Sequence, residues 1–314
     1  MSEKKIATRE SYGAALVEYA AIDPDVVVLD ADLAAATKTG MFKKAFPERF
    51  IDCGIAECNM IGVAAGLAAA GKKVFASSFA MFAAGRAFEI IRNSVGYPHL
   101  PVKICATHAG ISVGEDGATH QCCEDLALMR TIPGMTVLNP SDDIEAKAVV
   151  KALLHYDAPA YVRLGRLAVP VINDTPDYHF EIGKGIQLRE GKDATILATG
   201  LMVSMALEAA DMLNKEGLSV RVVNIHTIKP IDEEIILKAA KETGLLITAE
   251  EHSVIGGCGS AVSEVCAEKC PVRVVKIGVN DVFGKSGPAA ELLKIYGLSA
   301  EHIAETVRKA IAEK

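Results

Sequence analysis

The chain has no tryptophan, and aromatic residues fill only 5% of its 314 positions. The missing tryptophan is silent about function, but aromatics this sparse make every phenylalanine beside a polar loop conspicuous. No sustained lysine or arginine cluster occurs, and the formal net charge is -7 with a pI near 5.7. A nucleic-acid partner needs a basic footprint, so none is expected. No stretch approaches the roughly 20 apolar residues of a membrane span. The small-residue run over 61–70 is half that length, and the opening Met-Ser-Glu-Lys-Lys-Ile has no apolar signal core. Eight cysteines, at 53, 58, 105, 122, 123, 258, 266 and 270, form no CxxC pair and no regular spacing. That excludes the usual signatures of a zinc site or a disulfide scaffold and points to small core residues in a reducing compartment. A soluble, cytoplasmic protein without a membrane partner is the expectation. No short fixed-period repeat is present either.

What is present is apolar content of 50%, ample for two cores in a chain of this length. Apolar runs over 26–29, 74–77, 102–106, 136–139 and 160–164 read as buried strands. Helical periodicity over 41–46, 61–70, 81–94, 126–131 and 142–155 separates them, and a short strand is expected at 50–53. Strands alternating with helices require crossover connections, hence a parallel sheet covered on both faces. Periodicity lapses from Pro170 to about Gly185 and then restarts, with strands over 194–198, 220–225, 245–249 and 272–277 and helices over 202–216, 232–243, 258–269 and 299–312. The fold class is therefore α/β: two doubly wound domains with mainly parallel sheets, over 1–172 and 186–314, joined by a linker at 173–185.

Ligands of open parallel sheets bind at the carboxyl ends of strands. One such loop gathers His108, Gly110, Gly114, Asp116, Gly117 and His120 within 13 residues. Glycines let the backbone turn sharply near a ligand, and histidines carry charge or hydrogen bonds switchable near neutral pH; a surface loop with solvated histidines would look the same. Glu57 opens a helix among Ile55, Ala56, Met60 and Ile61, which fits either a partly buried proton carrier or an ordinary helix N-terminal acid. Phe79 and Phe82 follow a strand end and suit either core or a stacking platform. Arg163 and Arg166 flank a glycine after another strand; guanidinium geometry suits phosphate, although one of the two is expected in a structural ion pair. Arg9 alone reads as a solvated charge. The glycines at 256, 257 and 259 either hold an anion or permit tight packing, and His226, His252 and Lys229 read as structural.

Taken together these residues resemble the transketolase family, specifically its C-terminal half, along essentially the whole chain. The resemblance rests on Lys5-Ile-Ala-Thr-Arg9, Gly54-Ile-Ala-Glu57-Cys-Asn59-Met60, Ser78-Phe79-x-x-Phe82 and Thr107-His108-x-Gly110-x-Ser-Val-Gly114-Glu-Asp116-Gly117-x-Thr-His120-Gln121. Asn139-Pro-Ser-Asp142, Gly165-Arg166, Thr227-Ile-Lys-Pro230-Ile-Asp232 and Glu250-x-His-x-x-x-Gly256-Gly257 extend it. It implies a pyrimidine-binding domain and a transketolase C-terminal domain, thiamine diphosphate with a divalent metal such as Mg2+, and transfer of a two-carbon ketol unit between sugar phosphates in the pentose phosphate pathway. By that resemblance Glu57 hydrogen-bonds N1′ of the aminopyrimidine, Phe79 and Phe82 pack on it, and His120 lies beside cofactor and donor hydroxyls. His108 and Asp116 contact substrate, and Arg9 and Arg166 clasp the sugar phosphate.

The chain departs from the family in three ways. Where relatives commonly place a serine phosphate ligand, the sequence reads Ala36-Thr37-Lys38-Thr39, so Thr37, Lys38 or Thr39 is the substitute. Spacing from Phe82 to Arg86 also differs by a residue from some relatives, which leaves Arg86 unassigned. No Gly-Asp-Gly motif is present, so no metal ligand is expected here. This implies a split enzyme, a heterotetramer with a separate N-terminal transketolase subunit that holds the metal and diphosphate. The small face Gly62, Ala65, Gly66, Ala69 and the helix over 79–94 are candidate contacts with that partner, or ordinary intrachain packing. Alternatives are the β-type subunit of a 2-oxo acid dehydrogenase, a deoxyxylulose-phosphate synthase-like chain, or a noncatalytic assembly subunit.

Overall fold

The computed structural model describes residues 4–314. The first three residues, which begin the expected first domain, lie outside the described residues. Among the described residues, fourteen strands are arranged in two large sheets and one small pair. In chain order they are β1 (Lys5–Ala7), β2 (Val26–Asp30), β3 (Phe50–Asp52), β4 (Lys73–Phe79), β5 (Val102–Thr107), β6 (Thr136–Leu138) and β7 (Ala160–Arg163). They continue as β8 (Ala168–Pro170), β9 (Ile186–Arg189), β10 (Ala194–Ala198), β11 (Val220–Asn224), β12 (Thr227–Lys229), β13 (Leu245–Ser253) and β14 (Arg273–Val279).

The first large sheet runs β12-β6-β7-β5-β4-β2-β3, with all pairings parallel except that of β12. The second runs β14-β13-β10-β11-β9, parallel except for β9. Helices cover both faces, which is why β2, β5 and β10 are buried at every position and read as unbroken apolar runs. The two mainly parallel α/β domains expected from the sequence are therefore present. β12 follows β11 of the second sheet yet pairs antiparallel with β6 of the first, joining the domains through backbone hydrogen bonds.

Local chemistry sets the element ends. Asp142, Asp232 and Ser299 precede the helices Asp143–Leu153, Glu233–Thr243 and Ala300–Ala312 and accept the backbone N–H of Glu145, Ile235 and His302 respectively. The helix Glu57–Ala69 buries Met60, Ile61, Ala64, Ala65 and Ala68 on one stripe. Glu57 is its first residue, as expected of the acid that opens it, four residues ahead of the periodic run over 61–70. The helix Thr8–Ala20 escaped the sequence because Thr8, Ser11 and Gly13 are buried alongside its stripe of Tyr12, Ala15, Leu16 and Ala20 and blur the period. The single helix expected over 81–94 is instead two π-helical segments, Met81–Arg86 and Ile91–Gly96, around a short α turn Phe88–Ile90. A π turn holds more residues than an α turn and often marks a functional site. Among the described residues no helix is long and apolar enough to cross a membrane.

Candidate active site

β3 and β4 flank β2 on opposite sides, so the chain reverses direction across the sheet there. Such a switch point opens a crevice at the strands' carboxyl ends. Glu57 follows β3, Phe79 ends β4, His108 follows β5, Arg166 follows β7, and Arg9 lies in the first turn of the helix after β1.

Phe79 and Phe82 stack at 6.0 Å between centroids with 13° between planes. The His108 ring lies against Phe79 at 3.8 Å and 24°, and His120 meets Phe82 edge-on at 5.3 Å. Beside them Glu57 is 2% exposed, and its Oε2 accepts from Arg86 Nη1 at 3.1 Å. The Arg86 guanidinium sits 5.4 Å from the Phe82 ring centre, yet its side chain is 56% exposed. Sequence left Arg86 without a role, and the structure pairs it with the acid on which the family resemblance rests.

Arg9 Nη1 lies 3.1 Å from His108 Nε2 and also donates to the carbonyl of Ala36 at 2.8 Å. A guanidinium is always a donor, so Nε2 must accept. Nδ1 then carries the proton and donates to Thr107 Oγ1 at 2.8 Å. The ring is thus held neutral, and burial, followed by the charges of Arg9, Arg166, His120 and Lys38, lowers its pKa to about 3. Arg166 donates to the carbonyl of Val113 and pairs with exposed Glu115 at 3.3 Å. His108 therefore joins an aromatic floor to a cationic wall.

Of the residues expected in the site, the structure gathers Glu57, Phe79, Phe82, His108, His120, Arg9 and Arg166 into one network of contacts and mutual charge. Asp116 is not part of it: its side chain is exposed and has no hydrogen bond or ion pair with a described residue. The three readings left open near Ala36 also separate. Asp30 is fully buried and accepts the Thr37 and Thr39 hydroxyls at 2.7 and 2.8 Å and the Leu33 N–H at 2.6 Å. Burial raises its pKa to about 6, against those hydrogen bonds. Both threonine hydroxyls thus face inward.

Arg163, the other arginine of its pair, is structural. Its Nε donates to Asp125 at 2.9 Å, and its Nη2 to the carbonyls of Glu251 and Cys122. At 256–259 the packing reading holds, because Glu250 already accepts the N–H groups of Cys258 and Gly259. His226, His252 and Lys229 are bound to Thr227, to Ser253 and Ala127, and to the carbonyls of Arg130 and Ile132.

The second domain props the histidine loop. Gln121 Nε2 donates to the carbonyls of Ile111, Gly114 and Lys285, and Glu251 accepts the Ser112 N–H at 2.6 Å. Sequence gave no signal for Glu251, because its partner is 139 residues away. A side chain at Gly62 or Gly66 would meet nothing within 4 Å, so those glycines do not serve intrachain packing. Gly62, Gly66 and Ala69 are exposed, whereas Ala65 is buried.

Residues 4–171 match the transketolase pyrimidine-binding domain, and residues 183–303 match the transketolase C-terminal domain. The chain belongs to the transketolase family. It is 52% identical over 308 residues to a Methanocaldococcus jannaschii protein named as a transketolase C-terminal section, covering 98% of this chain and 96% of that one. It is 45% identical to the 6-deoxy-6-sulfo-D-fructose transketolase subunit of Clostridium sp., covering 98% and 95%. A solved split-gene transketolase, described as an inactive β4 tetramer, superposes with a TM-score of 0.91 at 57% identity, covering 98% of this chain and 99% of that one.

Proposed function

We propose that this chain is the C-terminal subunit of a split transketolase. It transfers a two-carbon ketol unit from a ketose phosphate to an aldose phosphate in the pentose phosphate pathway, and works only with a separate N-terminal subunit, two of each forming a heterotetramer. The observation that carries this reading is the double engagement of His108, stacked on Phe79 at 3.8 Å and bound by Arg9 at 3.1 Å. A platform for a planar ring and a clasp for an anion meet there. The fully spanning split-gene relative, inactive as a β4 tetramer, supports the dependence on a partner. So do the open positions at Gly62 and Gly66, where another chain can approach closely.

The residues fit the pyrimidine half of thiamine diphosphate. Two nearly parallel phenyl rings offer the stacking surface, and the buried carboxylate beside them is held by an exposed arginine that can turn away. Glu57 would hydrogen-bond N1′ of the aminopyrimidine, and Phe79 and Phe82 would hold the ring dry and oriented. When bound, the cofactor supplies a nucleophilic ring carbon and an electron sink for the two-carbon unit. His120, whose Nδ1 pairs with Thr119 Oγ1 at 2.9 Å, would move a proton to or from a donor hydroxyl at Nε2. His108 would contact substrate as a neutral ring, Asp116 would meet a sugar hydroxyl from its exposed loop, and Arg9 and Arg166 would bind the phosphate. In this reading Mg2+ and the diphosphate are held by the partner subunit. The domains are proposed over 1–172 and 186–314 with a linker at 173–185, and the cytoplasm as the compartment.

The test is thiamine-diphosphate-dependent release of glyceraldehyde 3-phosphate from xylulose 5-phosphate with ribose 5-phosphate as acceptor. Activity is expected only when this chain is mixed with its N-terminal partner. An assembled complex that ignored these sugars and consumed pyruvate would overturn the assignment.

A further inference from the structure

We propose that Glu251, near the end of β13 in the second domain, is a positioning residue for His120 and acts as one only while it is ionised. This rests on the ketol-transfer reading above and adds to it a residue that touches neither substrate nor cofactor.

The contacts run from Glu251 to His120 in three steps. The Glu251 carboxylate is buried and accepts the Ser112 N–H at 2.6 Å. Ser112 is the middle residue of a single 3₁₀ turn, Ile111–Val113, and the Ile111 carbonyl of that turn accepts from Gln121 Nε2 at 3.1 Å. Gln121 adjoins His120, whose own N–H is bound to the Gly117 carbonyl at 3.0 Å. β13 grips the far end of the loop as well: the Ser253 N–H donates to the Cys123 carbonyl at 2.8 Å, and Arg163 Nη2 bridges the carbonyls of Cys122 and Glu251. The approach is so close that a Cβ at Gly110 would overlap the Glu251 carboxyl. His108 is anchored from its own side by Thr107 and Arg9. His120 instead depends on the loop, since its ring bonds Thr119, an exposed neighbour in the same stretch.

The charges around Glu251 make its ionisation conditional. Three buried groups meet there: the Arg163 guanidinium of β7, Asp125 at the start of the helix Asp125–Thr131, and Glu251 itself. Arg163 gives its Nε to both oxygens of Asp125 and its Nη2 to backbone carbonyls. The one cation is therefore matched by Asp125, and a carboxylate at Glu251 is a surplus buried charge, which favours the protonated form. Burial, against the charge of Arg163 and the hydrogen bonds from Ser112 and with the charge of Asp125, raises the Glu251 pKa to about 7. A third titratable neighbour, Cys123, has its own thiol pKa pushed up by burial and stays neutral. Above that pH Glu251 makes a charge-assisted bond to Ser112, roughly twice as strong as a neutral one. As pH falls through about 7 the group gains its proton, the bond weakens to the neutral kind, and the turn beneath Gln121 and His120 loosens.

The experiment measures kcat and KM of the reconstituted two-chain enzyme for xylulose 5-phosphate with ribose 5-phosphate at pH 6 and pH 8, for wild type and Glu251→Gln. Glutamine keeps a neutral acceptor for Ser112 and cannot titrate. At pH 8 the variant is expected to show a kcat about three- to tenfold below wild type, with KM within about twofold. At pH 6 the two kcat values should agree within about twofold, because wild type has then taken up its proton, and titrations common to both proteins cancel in the ratio. A merely structural role would lower kcat by the same factor at both pH values, and that constant ratio would overturn the proposal. Hydrogen–deuterium exchange over residues 108–122 of the wild-type complex, corrected for the intrinsic rate, reads the same event without a substitution. Protection is expected to be lower at pH 6 than at pH 8, and equal protection would also overturn the proposal. If the wild-type complex released no glyceraldehyde 3-phosphate at any pH, the ketol-transfer reading would fail on its own, and the exchange comparison would still decide whether the charge of Glu251 holds the loop.

Discussion

Arg86 Nη1 and Glu57 Oε2 lie 3.1 Å apart, an ion pair between a half-exposed guanidinium and a carboxylate that is 2% exposed. The pair spans the edge of the Phe79–Phe82 platform, and the carboxyl oxygen that Arg86 occupies is one the pyrimidine would need.

On the proposed reading, Arg86 competes with the cofactor for that oxygen. Replacing it by methionine, which keeps apolar bulk near Phe82, should tighten apparent thiamine diphosphate affinity by about two- to fivefold, the worth of one exposed-to-buried ion pair. Titration of the assembled enzyme, followed by intrinsic fluorescence, reads this directly. Weaker binding in the variant would mean that Arg86 supports the cofactor rather than excluding it.

Glu57→Gln keeps the side chain's size but loses the carboxylate. Turnover of the reconstituted enzyme should drop about 10²- to 10⁴-fold, with heteromer formation unchanged by sedimentation. Near-normal turnover would remove Glu57 from the proton relay.

His108 has a folded pKa of about 3 against roughly 6.5 for a free ring. Between those values the unfolded chain binds a proton that the native chain refuses, so this residue costs stability increasingly as pH falls below about 6.5. His108→Asn removes that dependence. Relative to wild type, the variant should gain stability on going from pH 7 to pH 5, by about 2 kcal/mol. Denaturant unfolding at the two pH values measures it, and a constant difference between the proteins would contradict the burial of a neutral ring.

Gly110 has a φ of +80°, and a Cβ there would lie 2.4 Å from the carboxyl of Glu251. Glu251 cannot easily retreat: it is buried and accepts the Ser112 N–H at 2.6 Å. Gly110→Ala should cost about 2–4 kcal/mol from strain and overpacking combined. The urea midpoint gives the measure, and a loss below about 0.5 kcal/mol would show that the loop moves freely.

The parts of this architecture legible in the sequence are those with a period. β2, β5 and β10 announced themselves because both faces are covered, and the restart after Gly185 marked a second domain. What stayed hidden has no local signature. β12 is three residues long and exists through its pairing with β6, and the wide turns at Met81–Arg86 look like any helix in one dimension. Arg163 and Arg166 were inseparable by type; the buried Asp125 beside one of them decides the matter. Glu57 acquires its catalytic reading from the family resemblance, whereas its counter-ion 29 residues away required three dimensions. Asp116 shows the converse, since motif membership alone did not bring it into the contacts around His108.

The pairing of Thr227–Lys229 with β6 also bears on how the polypeptide can be divided. The stretch between the two sheets looks like the natural place to cut, yet a fragment ending there would leave β6 as a bare outer strand. Its unpaired amides and carbonyls would then template association with other chains, by the physics that makes uncovered strands aggregate. The halves of this polypeptide are better regarded as co-dependent products of one translation than as modules to be expressed apart.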